Sequence, residues 1–467
     1  MIIRKCLASV LLFTLFFPAI ACASLCKDIT ELFSVDEKCA LSMDATDPLK
    51  GYKEEFSIPV DKDNNPIVYL NGHVMGLAPL DARDYMLEEI KAWEKLGVSG
   101  RYKQKDPWNK YHEKFRSGFA KILGAFPEEI VLMNSLSTNI HLAMVSFYRP
   151  TKTRYKIMIE APVYQSDLYV IKSQLKFHGI DPDQGLVIVE KNPNVKELTM
   201  DDFAESFAAN KDSIAMILVS SVNHLTGQVI DVSELTKLAH ANGALVGLNL
   251  AHSVGNIPLK LHEWDVDFAA WCNYKYMSGG PGVVGGLFVN KTHVSNPDLH
   301  RFAGWWGSDP KARMSFKNQK NFVPIDSADS WQQSEQPILS MAPLQASLKL
   351  FDEVGMSAYR EKSIRLTSYL EYLIDHIDSD IVEIITPRDI NKRGCQISIL
   401  IKKDSELLFN ELTARGVAVD FKQPNIIRIS PMPLYNGYHD VWKFANILSE
   451  VLKGKSLDVV DEKKKLS

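Results

Sequence analysis

The chain reads as an α/β protein: a large domain with a mostly parallel sheet flanked by helices, then a smaller α+β domain. Three observations carry this reading. Between about residues 130 and 290, short apolar strand-like runs alternate with helical segments, the pattern of a parallel sheet with crossover helices. From about residue 345 a long helical stretch replaces the alternation and leads into a mixed set of strands and helices. The 467 residues, 46% apolar and 24% charged, are globular in composition and numerous enough for more than one core.

Residues 1–23 read as a signal peptide. Arg4 and Lys5 precede an apolar stretch from Cys6 to Ala21, and Ala21-Cys22-Ala23 forms a small-residue cleavage pattern before Ser24. The stretch is short for a membrane span. Export to a periplasm or beyond is therefore expected, with no membrane contact after cleavage. Ala19-Ile20-Ala21-Cys22 leaves a lipid-anchored form open, and an uncleaved anchor is the other alternative. Residues 24–75 read as an arm of short helical pieces with a turn at Asp61 to Pro66. Cys26 and Cys39 lie close enough in sequence to pair in an oxidising compartment, or to stay as thiols.

The large domain spans 76–342. A helix is predicted over Asp81 to Leu96, with Met86, Ile90 and Trp93 at helical spacing and Gly97 as its stop. Strands are predicted at Tyr155 to Glu160, Ile214 to Val222, Ala244 to Leu250, Phe268 to Cys272 and Gly286 to Val289. The small domain spans 343–455. It opens with a helix from Pro343 to about Ile377. Strands follow at Gln396 to Ile401 and Ile426 to Ile429. The closing helix carries Val441, Phe444, Ile447, Leu448 and Val451 on one face. Residues 456–467 are a tail. Cys272 and Cys395 sit in apolar contexts as core residues. No Cys/His spacing suggests a metal site, and a net charge of -4 without a basic face argues against nucleic acid.

Lys275 is the most informative residue. A lone lysine is ordinarily a solvated charge, but this one ends the apolar run Val266 to Tyr274 and precedes Gly279-Gly280-Pro281-Gly282. An ammonium at the end of a buried strand loses solvation, its pKa falls, and a neutral amine becomes available for Schiff-base chemistry. Asn249 closes another apolar strand upstream. A polar strand end and a lysine about two dozen residues later suggest a pyridoxal 5'-phosphate site, one group facing the pyridine nitrogen and the other holding the aldehyde. Ser135 to Asn139, with three hydroxyls before an apolar helix, offers a cradle for the phosphate.

The segments Leu132 to Leu142, Tyr155 to Leu175, Leu245 to Asn256, Val266 to Tyr276, Gly304 to Gly307, Arg393 to Gln396 and Pro424 to Lys443 together resemble the kynureninases, a family of fold-type-I pyridoxal-phosphate enzymes. The resemblance extends from about residue 60 to 452. It implies hydrolytic Cβ–Cγ cleavage of L-kynurenine or its 3-hydroxy form, giving anthranilate or 3-hydroxyanthranilate and L-alanine, as in tryptophan catabolism and NAD precursor synthesis. It implies that Lys275 holds the cofactor's aldehyde and later moves the α-proton. Ser220, Tyr274 and the backbone of Leu136 and Ser137 would address the phosphate. Tyr164 would stack on the pyridine ring, with Gln165, Ser166 and Asp167 completing that wall. His252 would sit beside the cofactor, and Trp305 would reach it from the other subunit of a homodimer. Arg428 would take the substrate α-carboxylate, a task suited to a guanidinium. The family's usual location, the cytoplasm, is the alternative to export.

Five positions depart from the family pattern. Asn249 stands for an aspartate facing the ring nitrogen. An amide supplies no charge, so a weaker electron sink is expected, and Asn249→Asp should raise turnover. In the Asn71-to-Leu77 motif His73 replaces an asparagine and Val74 a serine. Arg101 replaces a substrate-facing histidine of animal members, and Glu335 replaces an asparagine near the cofactor and substrate ring. These leave two further readings open: a related lyase or epimerase acting on another amino acid, and a weakly active or non-catalytic homologue.

Overall fold

A computed structural model describes residues 33–296, 298–313 and 322–454. The signal-like segment 1–23, Cys26 and the tail 456–467 lie outside the described residues.

The large sheet has seven strands: β1 (Ile130–Leu132), β2 (Lys156–Glu160), β3 (Leu186–Val189), β4 (Ile214–Ser220), β5 (Leu245–Asn249), β6 (Phe268–Trp271) and β7 (Gly286–Val289), ordered β1-β7-β6-β5-β4-β2-β3. Pairing is parallel from β3 through β2, β4 and β5 to β6, and β7 runs antiparallel to both of its neighbours. β4, β5 and β6 are almost wholly buried, as expected of strands with helices on both faces. All five predicted strands of this sheet are present, trimmed by a residue or two at half of their ends. β1 and β3 went unpredicted. They are the two edge strands of the sheet, three and four residues long.

The small sheet is antiparallel, ordered β8-β9-β11-β10 from β8 (Val382–Ile384), β9 (Ile397–Ile401), β10 (Asp420–Lys422) and β11 (Ile426–Ile429). The two central strands were predicted, and the three-residue edges were not. The long helix of this part covers Leu344–Asp375, but Gly355 has φ 73 inside it. The single continuous helix expected from sequence is thus two helices joined at a glycine whose backbone an L side chain rarely adopts.

Hydrophobic cores lie on either face of the large sheet. A separate core fills the small part, where Leu366, Leu370, Ile399, Ile427, Phe444 and Leu448 meet Ala40, Val68 and Leu70 from the arm. The arm is held by polar contacts too. Asp44, in α1 (Glu37–Thr46), accepts from the backbone N–H of Tyr438 at 2.6 Å and of His439 at 3.1 Å. It thereby caps the final helix, Tyr438–Leu452. Asp47, just after α1, meets Lys362 at 2.7 Å, both side chains buried. Loop 71–77 then returns to the large domain, where Gly76 N–H donates to the Tyr274 carbonyl at 2.9 Å.

Candidate active site

The strand ends make the site. Ser220, Asn249 and Ala270 are neighbours in register at the carboxyl ends of β4, β5 and β6. A crevice at such strand ends is where ligands bind in open α/β sheets. Lys275 follows β6 by four residues, in the turn that leads to β7. Its Nζ lies 2.9 Å from His252 Nε2. Burial holds the Lys275 amine below its ordinary pKa. Cys272 opposes that shift and the Arg428 charge adds to it. Burial, with the charges of Lys275 and Arg428, keeps His252 well below its usual pKa, so its ring is neutral. Its Nδ1 lies 3.4 Å from the Tyr276 hydroxyl. The tautomer with hydrogen on Nδ1 satisfies both contacts, Nε2 accepting from the amine.

Two helices point their N-termini at this region: α2 (Leu136–Phe147) and α3 (Gln165–Phe177). Neither has a side-chain cap, so their first-turn N–H groups are available to an anion. The Ser137 and Ser166 hydroxyls stand 2.9 Å apart and tie the two ends together. Tyr164 precedes α3, 42% exposed, its ring 5.1 Å from that of His224.

Asp167, in the first turn of α3, accepts a hydrogen bond from Asn249 Nδ2 at 2.8 Å, both residues buried. The Asn249 oxygen accepts from Ala251 N–H at 2.9 Å, which fixes the amide's orientation. Burial pushes the Asp167 carboxyl up to about 6, against the Asn249 hydrogen bond and the Lys275 charge. Burial pushes Glu160 further, to about 8, with Asp167 repulsion adding and the Ser220 N–H at 3.1 Å opposing. At neutral pH Asp167 is therefore largely ionised and Glu160 largely protonated.

Arg428, buried on β11, donates from Nε to Asp420 at 2.8 Å and from Nη1 to the His224 carbonyl at 2.6 Å. It is thus a structural ion pair on one edge, and Nη2 remains for a ligand. His73 is fully buried, its ring 6.3 Å from that of His252, and neither of its nitrogens has a partner among the described residues.

The structure therefore draws Lys275, His252, His73 and Arg428 into one region with Asn249 and Asp167, and sets the α2 and α3 N-termini and Ser220 around it. Tyr274 lies beside Lys275, half-buried, and burial raises its hydroxyl above the ordinary value. Trp305, Arg101 and Glu335 stand apart. Arg101 and Glu335 form an ion pair with each other. Trp305 is 51% exposed and meets Trp306 edge-to-face, ring centroids 5.5 Å apart. No hydrogen bond, ion pair or ring contact among the described residues links these three to Lys275. Sequence reasoning missed Glu160, His224 and Asp420. Glu160 ends β2, a strand end like those that hold the named residues, and His224 lies four residues past β4. That shared position was the available signal.

Among the described residues no cluster of His, Cys, Asp or Glu is arranged to hold a metal ion, and no helix is long and apolar enough to cross a membrane.

A family model of the kynureninase C-terminal domain matches residues 359–448. The kynureninase of Myxococcus xanthus is 44% identical over 417 residues, covering 89% of this chain and 97% of that one. The kynureninase of Koribacter versatilis is 46% identical over 414 residues, covering 88% and 97%. This chain belongs to the kynureninase family. Pyridoxal-phosphate-dependent hydrolysis of a carbon–carbon bond comes with that membership. Solved structures with the same fold include the apo cysteine desulfurase of Thermococcus onnurineus, with TM-score 0.67 and 18% identity over 85% of this chain and all of that one. A cystine C–S lyase in complex with cysteine persulfide gives TM-score 0.68 and 15% identity, covering 82% of this chain and 97% of that one. At these identities the likeness establishes the fold-type-I architecture alone.

The residues present fit pyridoxal phosphate. Both His73 ring nitrogens, His224 Nδ1 and Glu160 Oε2 are buried without partners among the described residues. Each such group costs about 1–3 kcal/mol when left unmet, and a polar ligand in the crevice would meet some of them.

Proposed function

We propose that this protein cleaves the side chain of L-kynurenine, or of 3-hydroxy-L-kynurenine, between Cβ and Cγ, releasing L-alanine and an anthranilate. The observation that carries the reading is the Lys275–His252 contact: a desolvated amine, held by a neutral imidazole, at the strand ends of a kynureninase-family fold. When bound, the cofactor supplies an aldehyde for that amine and a ring that accepts electron density from the substrate's α-carbon. The chain's residues do the rest. The amide groups of Leu136 and Ser137 and the Ser137 hydroxyl would hold the phosphate at the α2 terminus. Tyr164 offers a ring face. Lys275, uncharged for part of the cycle, takes the α-proton, and His252 keeps its Nζ oriented. Arg428 presents Nη2 to the substrate carboxylate while Asp420 fixes its other edge. His73 supplies a donor and an acceptor with no other task.

Two further features belong to this reading. A homodimer brings Trp305 of one copy to the site of another. The exposed Tyr164 and Trp305 support that arrangement, because large aromatic rings are costly to leave in water. Export is supported by the charged, apolar and small-residue succession over 1–23. N-terminal sequencing of native protein should then start near Ser24, and a mature cytosolic chain beginning at Met1 would oppose it.

The deciding assay is anthranilate fluorescence from protein lacking Met1 to Ala23, with L-kynurenine and added cofactor. Borohydride reduction and peptide mapping should place the phosphopyridoxyl group on Lys275. Cofactor bound at Lys275 with no anthranilate formed would favour a related lyase on another amino acid. The altered charges at Arg101 and Glu335 are the observation behind that second reading.

A further inference from the structure

We infer that Asp167, oriented by the Asn249 amide, supplies the negative charge that keeps the cofactor's ring nitrogen protonated. This rests on the reading that the cofactor is linked to Lys275 with its phosphate at the α2 terminus. A group held at both points would lie along the strand ends, where Asn249 closes β5. Counting only the residue at that strand end gives no charge. Counting the residue it holds gives one, because Asn249 Nδ2 donates to Asp167 at 2.8 Å with both side chains buried. That bond engages Oδ2. Glu160, the nearby second carboxyl, leaves Oε2 unpartnered and is the more readily protonated of the two. One net negative charge therefore stands beside the ring site.

A carboxylate at position 249 would not increase that charge. Two carboxyl groups in hydrogen-bond contact in a buried site cannot both ionise, so the pair would hold one proton between them. The amide N–H of Asn249 does what that shared proton would do. Charge at the ring site is the same for Asn249 with Asp167 as for a half-protonated carboxyl pair. Asn249 is a positioning residue, and the charge belongs to Asp167.

The test uses the holoenzyme loaded with cofactor isotopically labelled at the ring nitrogen, whose NMR shift reports protonation directly. Wild type and Asn249→Asp should both show a protonated nitrogen at neutral pH. Asp167→Asn should lose that signal and raise the cofactor's Kd on the order of tenfold or more, the worth of one pKa unit. Combining Asp167→Asn with Asn249→Asp should restore both. A protonated nitrogen in Asp167→Asn would overturn the inference. So would a neutral nitrogen in wild type that becomes protonated in Asn249→Asp, a result that stands even if Asp167→Asn does not fold. Borohydride reduction of the same samples separates the two levels. Label absent from Lys275 overturns the proposed function and this inference together, whereas label on Lys275 with the wrong nitrogen signal overturns this inference alone.

Discussion

Asn249 changes meaning once its neighbour is known. From sequence it reads as a lost charge, and Asn249→Asp should then raise turnover. With Asp167 2.8 Å away, the same substitution adds a carboxyl that must carry a proton. Steady-state turnover on L-kynurenine should then stay within about threefold of wild type, under 1 kcal/mol of barrier. A tenfold gain would favour the simple charge count. Gly76 makes a second prediction at this scale. A Cβ there would strike the Lys275 carbonyl and the Ser278 side chain. Gly76→Ala should displace Lys275 and lower kcat/KM by about a hundredfold, the usual cost of a 1 Å misplacement. Far-UV circular dichroism should stay unchanged. Lys275 itself was legible because an apolar run ending in Lys before three glycines is a local signal. The Asn249–Asp167 contact was not, since it joins residues 82 apart and nothing local marks it. The sequence singled out Arg428, but not Asp420, which occupies one edge of it.

Among the elements, the arm and the broken helix depend on each other. Lys362 lies on the second half of that helix and meets Asp47 with both side chains buried. Burial lowers the Lys362 pKa, and Asp47 opposes the shift. Lys362→Met leaves Asp47 buried and unpaired, which should cost about 3–5 kcal/mol. The denaturation midpoint should fall accordingly, and adding Asp47→Leu should recover much of the loss. Equal loss in single and double variants would show that packing, not charge, is what fails. Strands buried on both faces were legible because their apolar runs span four to seven residues. The edge strands β3, β8 and β10 have only three or four, and their identity comes from the partner they pair with.

For the whole molecule, pH acts through a buried carboxylate shared by two histidines. Asp267 accepts from His240 at 2.9 Å and His293 at 2.7 Å, and from Val246 N–H at 2.7 Å. The hydrogen bond to Asp267 raises the His240 pKa above 6.5. Its contribution to stability is therefore full below 6.5 and fades as pH climbs through the folded value. The histidine and backbone bonds together outweigh burial and lower the Asp267 pKa below 3.8. Its contribution is full above 3.8 and is lost as pH falls through the folded value. His240→Gln should lower Tm at about pH 5.5 more than at about pH 9. An equal drop at both would remove the titrating role. Light scattering of the protein should give twice the chain mass, and a fully active monomer would refute the dimer. The two-part architecture was legible from the change of pattern near residue 345. The crossing of the arm into the small core was not, because Val68 and Leu70 look like any short apolar run until Val417 and Ile427 lie beside them.

That crossing gives the chain an awkward birth. The first described segment to leave the ribosome finds its partners only when nearly the last has been made. Asn436 donates to the Tyr69 carbonyl across 367 residues, a delay of roughly 20 to 70 s at ordinary synthesis rates. Through that interval Ala40, Val68 and Leu70 have no core to enter, while the seven-stranded sheet can already be closing behind them. The interval is a window for association between nascent chains. A holdase that covers residues 33–70 should raise soluble yield more than one acting on the finished protein.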